Sequence, residues 1–301
     1  MGIMKIRIRI ADPAGNITIF VLSRADRKDY PYISRQLLAV EELKGEQVGF
    51  VEQHNGAFHM QMMGGEFCAN ASRSFASLLA MGEIRERTEE ETGKSVEEYS
   101  GENSGEDARD GAGENTGHEN GSLELEISVS GASRPLKAWV DIGAGTSRVE
   151  MPLPEAIGCI TLGEETFAMV TFDGICHILV PGKPRKEAFI WEAVEKAKEA
   201  CPCGAWGIMF LQNRQMIPVV YVEETGSMVW EGSCGSGTTA AAVWLFRNKK
   251  DGEYTCILEQ PGGKMEARVK MEGGRAVACS VGGPVSLSRE MEIEIEERRL
   301  T

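Results

Sequence analysis

Two stretches decide how this chain reads: Gly64-Gly65-Glu66-Phe67-Cys68-Ala69-Asn70-Ala71-Ser72 and Glu231-Gly232-Ser233-Cys234-Gly235-Ser236-Gly237-Thr238. In each, a cysteine follows a glycine-containing turn and precedes small residues that open an apolar helical pattern. After the first, Ala71, Phe75, Leu78 and Leu79 fall at i, i+4, i+7 and i+8, which predicts a helix from Asn70 to Met81. After the second, Ala240, Ala241, Trp244 and Leu245 share one face of a helix from about Gly237 to Asn248. The cysteines lie about half the chain length apart. That duplication predicts two similar halves, each with one cysteine at the mouth of one apolar helix.

Outward from these motifs the pattern is mostly strand. Residues 5–22 read as two strands around Asp12-Pro13-Ala14-Gly15-Asn16, and strand-like segments follow near 46–52 and 57–63. Strands resume at 123–129, 136–142, 146–150, 166–172, 175–180, 206–211 and 217–223, with a helix over 187–200 and a charged alternating tail at 289–298. The expected fold class is α+β: two pseudo-symmetric domains, each a mostly antiparallel sheet wrapped around a central helix. The expected divisions are 1–135 with Cys68, 136–275 with Cys234, and 276–301 returning to the N-terminal domain. Residues 86–121 are rich in Glu, Gly, Asn and Ser, cannot bury enough apolar surface, and read as a disordered acidic insertion.

The 301 residues carry a net charge of −14. Residues 83–121 hold 13 acidic and 4 basic side chains, so most of that charge sits in one segment. The balance argues against a nucleic-acid partner. No apolar run is long enough for a membrane span, and the N-terminus alternates like a strand, so the expected compartment is the cytoplasm. The eight cysteines read as reduced thiols, most of them small core residues. Cys201-Pro-Cys203 lacks a second matching pair or a nearby histidine, so no metal is expected.

At a helix mouth the first N–H groups are unpaired and carry positive partial charge. They lower the pKa of an adjacent thiol and bind a carboxylate. Small residues at Ala69, Gly235 and Ser236 let an anion approach the backbone. Two such mouths face to face would hold one α-carboxylate with a sulfur on each side of the α-carbon. One thiolate would remove the α-proton and the opposite thiol would return one to the other face. Taken singly, each cysteine reads as a buried thiol beside an ordinary N-cap; the matched pair reverses that preference. Cysteine nucleophilic catalysis with His59 or His177 is the alternative, but it leaves the second cysteine without a task.

These residues resemble those of diaminopimelate epimerase and its relatives, the PLP-independent amino-acid racemases. FCANASRSFA and SCGSGTTAAA are similar to the family's two cysteine motifs, and the second is also similar to that of proline racemases. PAGN ending at Asn16, Glu46-Gln47 and Gln260-Pro261-Gly262-Gly263 are similar to its smaller motifs. The resemblance implies two similar α/β domains with the site between them, a homodimer, no cofactor and an amino-acid substrate. It places Cys68 and Cys234 in the catalytic positions, assisted by His177 and Glu224. Asn16, Gln47, Asn70 and the backbone of Ala69, Gly235 and Ser236 would line the α-amino and α-carboxylate end.

Diaminopimelate epimerase grips a distal amino acid with Asn and Arg side chains; this chain has His59, Ile175, Gly207 and Thr225 at the matching places. The Arg clamp is missing, and Thr does not replace a fork donor. The MMGGEFC-type motif resembles the histidine-racemase branch, so histidine is the leading substrate, with His59 and Thr225 as candidate side-chain contacts. Diaminopimelate epimerase and a non-catalytic amino-acid-binding paralogue are the alternatives. An isomerase of the phenazine-biosynthesis type is a further one, disfavoured by the paired cysteines.

Overall fold

The computed structural model describes residues 3–54, 56–82 and 122–297. The expected acidic insertion at 86–121 therefore lies outside the described residues.

The first half opens with β1 (Ile3–Asp12) and β2 (Thr18–Val21), an antiparallel pair around the 12–16 turn. Helix α1 (Tyr30–Leu38) crosses over to β3 (Gln47–His54), which runs parallel to β2, and β3 turns back antiparallel into β4 (Ala57–Met62). Helix α2 (Ala69–Ala80) follows. The chain then returns as β5 (Ser122–Val129), parallel to β4, and continues through the antiparallel meander of β6 (Leu136–Asp141) and β7 (Thr146–Met151).

The second half repeats this order. After β8 (Ala156–Leu162), β9 (Glu165–Phe172) and β10 (Ile175–Pro181) pair antiparallel. Helix α3 (Glu187–Ala200) crosses over to β11 (Ala205–Gln212), parallel to β10, which turns back into β12 (Gln215–Val222). The hairpin strand β13 (Ser227–Trp230) leads to α4 (Gly235–Phe246) and a second meander, β14 (Gly252–Gln260), β15 (Gly263–Glu272) and β16 (Arg275–Pro284).

The two meanders join edge to edge, β7 against β16, with Val149 opposite Val281. The first half closes on strands from the far end of the chain, the second on a local hairpin. β8 pairs with β9, while β17 (Ser286–Leu287) and β18 (Met291–Glu296) pair with β1. The meander next to α2 runs past residue 135 to Met151, because Ala138, Val140 and Val149 face the same core as Ala71, Phe75 and Leu78.

The four α-helices among the described residues fall into two kinds. α1 and α3 are amphipathic lids: Ile33 and Leu37 pack on Ile6, Ile8 and Val48, and Ile190, Val194 and Ala197 pack on Ile178, Ile208 and Val219. α2 and α4 are enclosed. Every residue from Ala69 to Leu78 is buried, and α4 buries nine of its twelve positions. An enclosed helix needs small or apolar residues all round, which GSGTTAAAVWLF supplies and ANASRSFASLLA supplies except at Arg73. α1 and β13 carry no counterpart among the sequence-based expectations. At nine and four residues they are short, and α1 shows its apolar stripe only through Tyr30, Ile33 and Leu37. No described helix is long and apolar enough to cross a membrane.

Candidate active site

Both cysteines are N-caps, and the two caps match. Cys68 has φ −124° and ψ 113°; Cys234 has φ −124° and ψ 111°. Each Sγ accepts the backbone N–H three residues on, from Ala71 and from Gly237, at 3.4 Å in both cases. Each carbonyl accepts a hydroxyl from four residues on, Ser72 at 2.7 Å and Thr238 at 2.6 Å. The mouths touch: a Cβ on Gly235 would lie 2.8 Å from the Ala69 Cβ, so only glycine permits this approach. Asn70 spans the gap, donating through Nδ2 to the Ser233 carbonyl at 3.1 Å and to its hydroxyl at 3.2 Å.

Three glycine turns close the back of the gap. Gly15 carries φ +79° in the turn that Asp12 Oδ1 caps by accepting the Gly15 N–H at 2.6 Å. A Cβ on Gly232 would lie 2.1 Å from the Gly15 carbonyl oxygen, and Gly262 donates to the Gly232 carbonyl at 2.8 Å. Gln260 fixes the second mouth by accepting the Cys234 N–H at 2.8 Å while donating to Thr238 Oγ1 at 2.8 Å. On the first half, Gln47 donates to Asn16 Oδ1 at 2.7 Å and faces the Cys68 sulfur; Asn16 donates to Glu46 at 3.2 Å.

Electrostatics depart from the helix-mouth expectation. The N–H donors do favour thiolate, but burial outweighs them. It pushes Cys68 up to about 11 and Cys234 well above its ordinary value. A carboxyl stands beside the second thiol. Glu231, three residues before Cys234, accepts from the Cys234 thiol; burial raises its pKa to about 7, and its Oε2 is closed to solvent without another partner. Glu231 also lies close enough to Cys68 to raise it, as does Glu66. One carboxyl therefore acts electrostatically on both thiols.

The remaining expected residues are placed as follows. His177 is fully buried on β10, with Nε2 2.9 Å from Ser236 Oγ; that hydroxyl lies 3.6 Å from the Cys234 sulfur. Burial holds its pKa down at about 3, so the ring is neutral, and Nδ1 has no partner. Gly207 makes room for it, since a Cβ there would lie 2.4 Å from His177 Nδ1. Glu224 and Thr225 sit in the exposed turn between β12 and β13, where Thr225 bonds Ser227. The turn exposes Glu224, whose charge still reaches Glu66, while Glu231 stands beside Cys234. His59 is engaged by Ser128 at 2.8 Å rather than by either cysteine. Sequence reasoning missed Glu231 and the Cys234 contact of Gln260. For Glu231 a cue was available: both motifs carry a glutamate just before the cysteine, Glu66 and Glu231. No metal-binding cluster exists among the described residues.

This duplicated sheet-and-helix fold is shared with solved structures of racemases and related isomerases. In fold the chain is similar to a probable proline racemase from Agrobacterium radiobacter K84, with a TM-score of 0.57 at 13% identity over 94% of this chain and 92% of that one. It is also similar to a phenazine biosynthesis PhzF-family protein from Enterococcus faecalis, with a TM-score of 0.54 at 11% identity over 96% and 99%. In sequence, the family described as "Histidine racemase CntK N-terminal domain" matches residues 5–292. A histidine racemase from Fusobacterium nucleatum subsp. nucleatum (strain ATCC 23726 / VPI 4351) is 32% identical over 94% of this chain and 95% of its own length. The chain belongs to the histidine racemase family, and it is an amino-acid racemase.

Proposed function

We propose that this chain racemises free histidine by a two-base mechanism in which Cys68 and Cys234 stand on opposite faces of the α-carbon. The observation that carries this reading is the pair of congruent cysteine caps meeting at Ala69 and Gly235. The first-turn N–H groups of Ala69, Asn70, Gly235 and Ser236 have no acceptor within their helices, so they are available to an α-carboxylate.

One sulfur starts as thiolate and the other as thiol. The thiolate takes the α-proton, and the electron pair left on carbon spreads into the carboxylate held by the two helix mouths. The opposite thiol gives its proton to the other face. The sulfurs end with their protonation exchanged, ready for the other enantiomer. Glu231 exchanges a proton with Cys234 and resets that cycle; Gln47 and the Ala71 N–H support negative charge on Cys68. His177 stays neutral and acts through Ser236, which it orients toward Cys234.

Histidine is supported by the family, by the relatives' activity and by the charge around the gap. Glu46, Glu66 and Glu231 border it, an acidic setting that disfavours the second carboxylate of diaminopimelate. The finer likeness to the two-domain diaminopimelate epimerase fold rests on the repeated element order and the matched caps.

The test is α-deuteration in D2O across a panel of L- and D-amino acids under reducing conditions. Histidine should exchange and racemise fastest. Exchange confined to another amino acid overturns the substrate, and no exchange at all overturns the mechanism.

A further inference from the structure

Arg73 lies on α2, fully buried, between the two helix mouths and the 12–16 turn. Its guanidinium donates from Nη2 to the Pro13 carbonyl at 2.5 Å, from Nη1 to the Pro284 carbonyl at 2.8 Å and from Nε to Asn70 Oδ1 at 3.2 Å. All three acceptors are neutral. A fully buried cation held only by neutral oxygens is costly, and a methionine of similar volume would pack there without that cost.

The same oxygens lead to the catalytic pair. Asn70, held by Arg73 on its oxygen, uses its amide to bridge to Ser233. Ser233 also donates to the Pro13 carbonyl at 3.3 Å, so Arg73 and the residue before Cys234 share one acceptor. Arg73 is thus one bond from the first mouth, two from the second, and directly on the turn that carries Asn16.

We propose that Arg73 is a positioning residue for the racemase reaction, which clamps the two cysteine mouths in register and supplies the fixed positive charge that the Cys68 thiolate answers. Asp12 is the carboxylate that acts on it electrostatically, but Asp12 spends its Oδ1 on the Gly15 N–H. Facing Cys68, Glu66 and Glu231 oppose the thiolate, while Gln47, the Ala71 N–H and Arg73 favour it. Burial lowers the Arg73 pKa only to about 10, so the charge persists at neutral pH. Without Arg73 the balance around Cys68 tips further toward the neutral thiol.

This inference rests on the proposed mechanism for its meaning but is tested apart from it. In a Cys234→Ser background, the pH dependence of Cys68 alkylation by iodoacetamide is followed by peptide mass spectrometry for Arg73, Arg73→Lys and Arg73→Met. Circular dichroism serves as the folding control. Arg73→Met should lower the alkylation rate at pH 8 about tenfold. Arg73→Lys keeps the charge and should keep the alkylation profile. With Cys234 intact, it should lower kcat about tenfold or more, because an ammonium cannot hold three divergent oxygens in the fork geometry. An unchanged alkylation profile in folded Arg73→Met overturns the assignment. If Arg73→Met does not fold, wild-type kcat or a shifted alkylation profile in Arg73→Lys does so. A wild-type enzyme that racemises nothing while these alkylation shifts hold would sink the mechanism and leave the placement of Arg73 standing.

Discussion

Glu231 stands beside the Cys234 thiol with its pKa raised by burial, and that sets a pH dependence. With its pKa near 7, Glu231 is ionised and able to accept only above that value. Turnover should therefore fall as pH drops through about 7, and Glu231→Gln should lower kcat about a hundredfold and flatten that limb of the kcat/KM profile. Stability runs the other way. A folded pKa raised above the unfolded value of 4.5 means that the folded state favours the protonated form. The resulting stability is fully present below about 4.5 and is lost as pH rises through about 7. Glu231→Gln should thus raise Tm at pH 8 and have little effect at pH 4, a contrast readable by thermal melts at the two pH values. At the sulfurs, Cys68→Ala and Cys234→Ala should each reduce racemisation by a factor on the order of 1,000, measured as α-deuterium exchange followed from both enantiomers.

At the level of elements, the site is a junction of three glycine turns and two helix mouths, and glycine sets how closely they meet. Gly232 and Gly15 touch through backbone, so neither can yield by rotating a side chain. Gly232→Ala should push the Cys234 mouth away from the 12–16 turn, costing roughly 1–3 kcal/mol and a matching fall in Tm. Gly207→Ala strikes His177 instead. It should cost roughly 1–3 kcal/mol as well, because the fully buried ring cannot yield freely, and it should lower kcat more than it raises KM, since the ring holds Ser236 rather than the substrate. A Gly207→Ala enzyme with wild-type kcat would separate His177 from catalysis.

On the scale of the whole molecule, the halves are interlocked as well as repeated. β18 brings Ile295 into the core of Ile6, Ile8, Ile33 and Leu37, and it covers the edge of β1. Removing residues 290–301 should lower Tm by several degrees and expose an edge strand prone to association, which melting and light scattering would report. The amino-acid sequence by itself determined the duplication, the two cysteine-capped helices, most strands and the reaction class. Those depend on local periodicity and on small residues next to cysteine, which any chain segment carries within itself. It also led as far as the family, through the two cysteine motifs. Tertiary structure alone decided that Glu231 rather than Glu224 stands beside Cys234, that the thiols are raised rather than lowered, and that Arg73 is sealed behind both mouths. The reason is physical. Desolvation and charge coupling depend on what surrounds a group on every side, and those surroundings come from residues distant along the chain: Pro13, Gly15, Gln47, His177, Gln260 and Pro284.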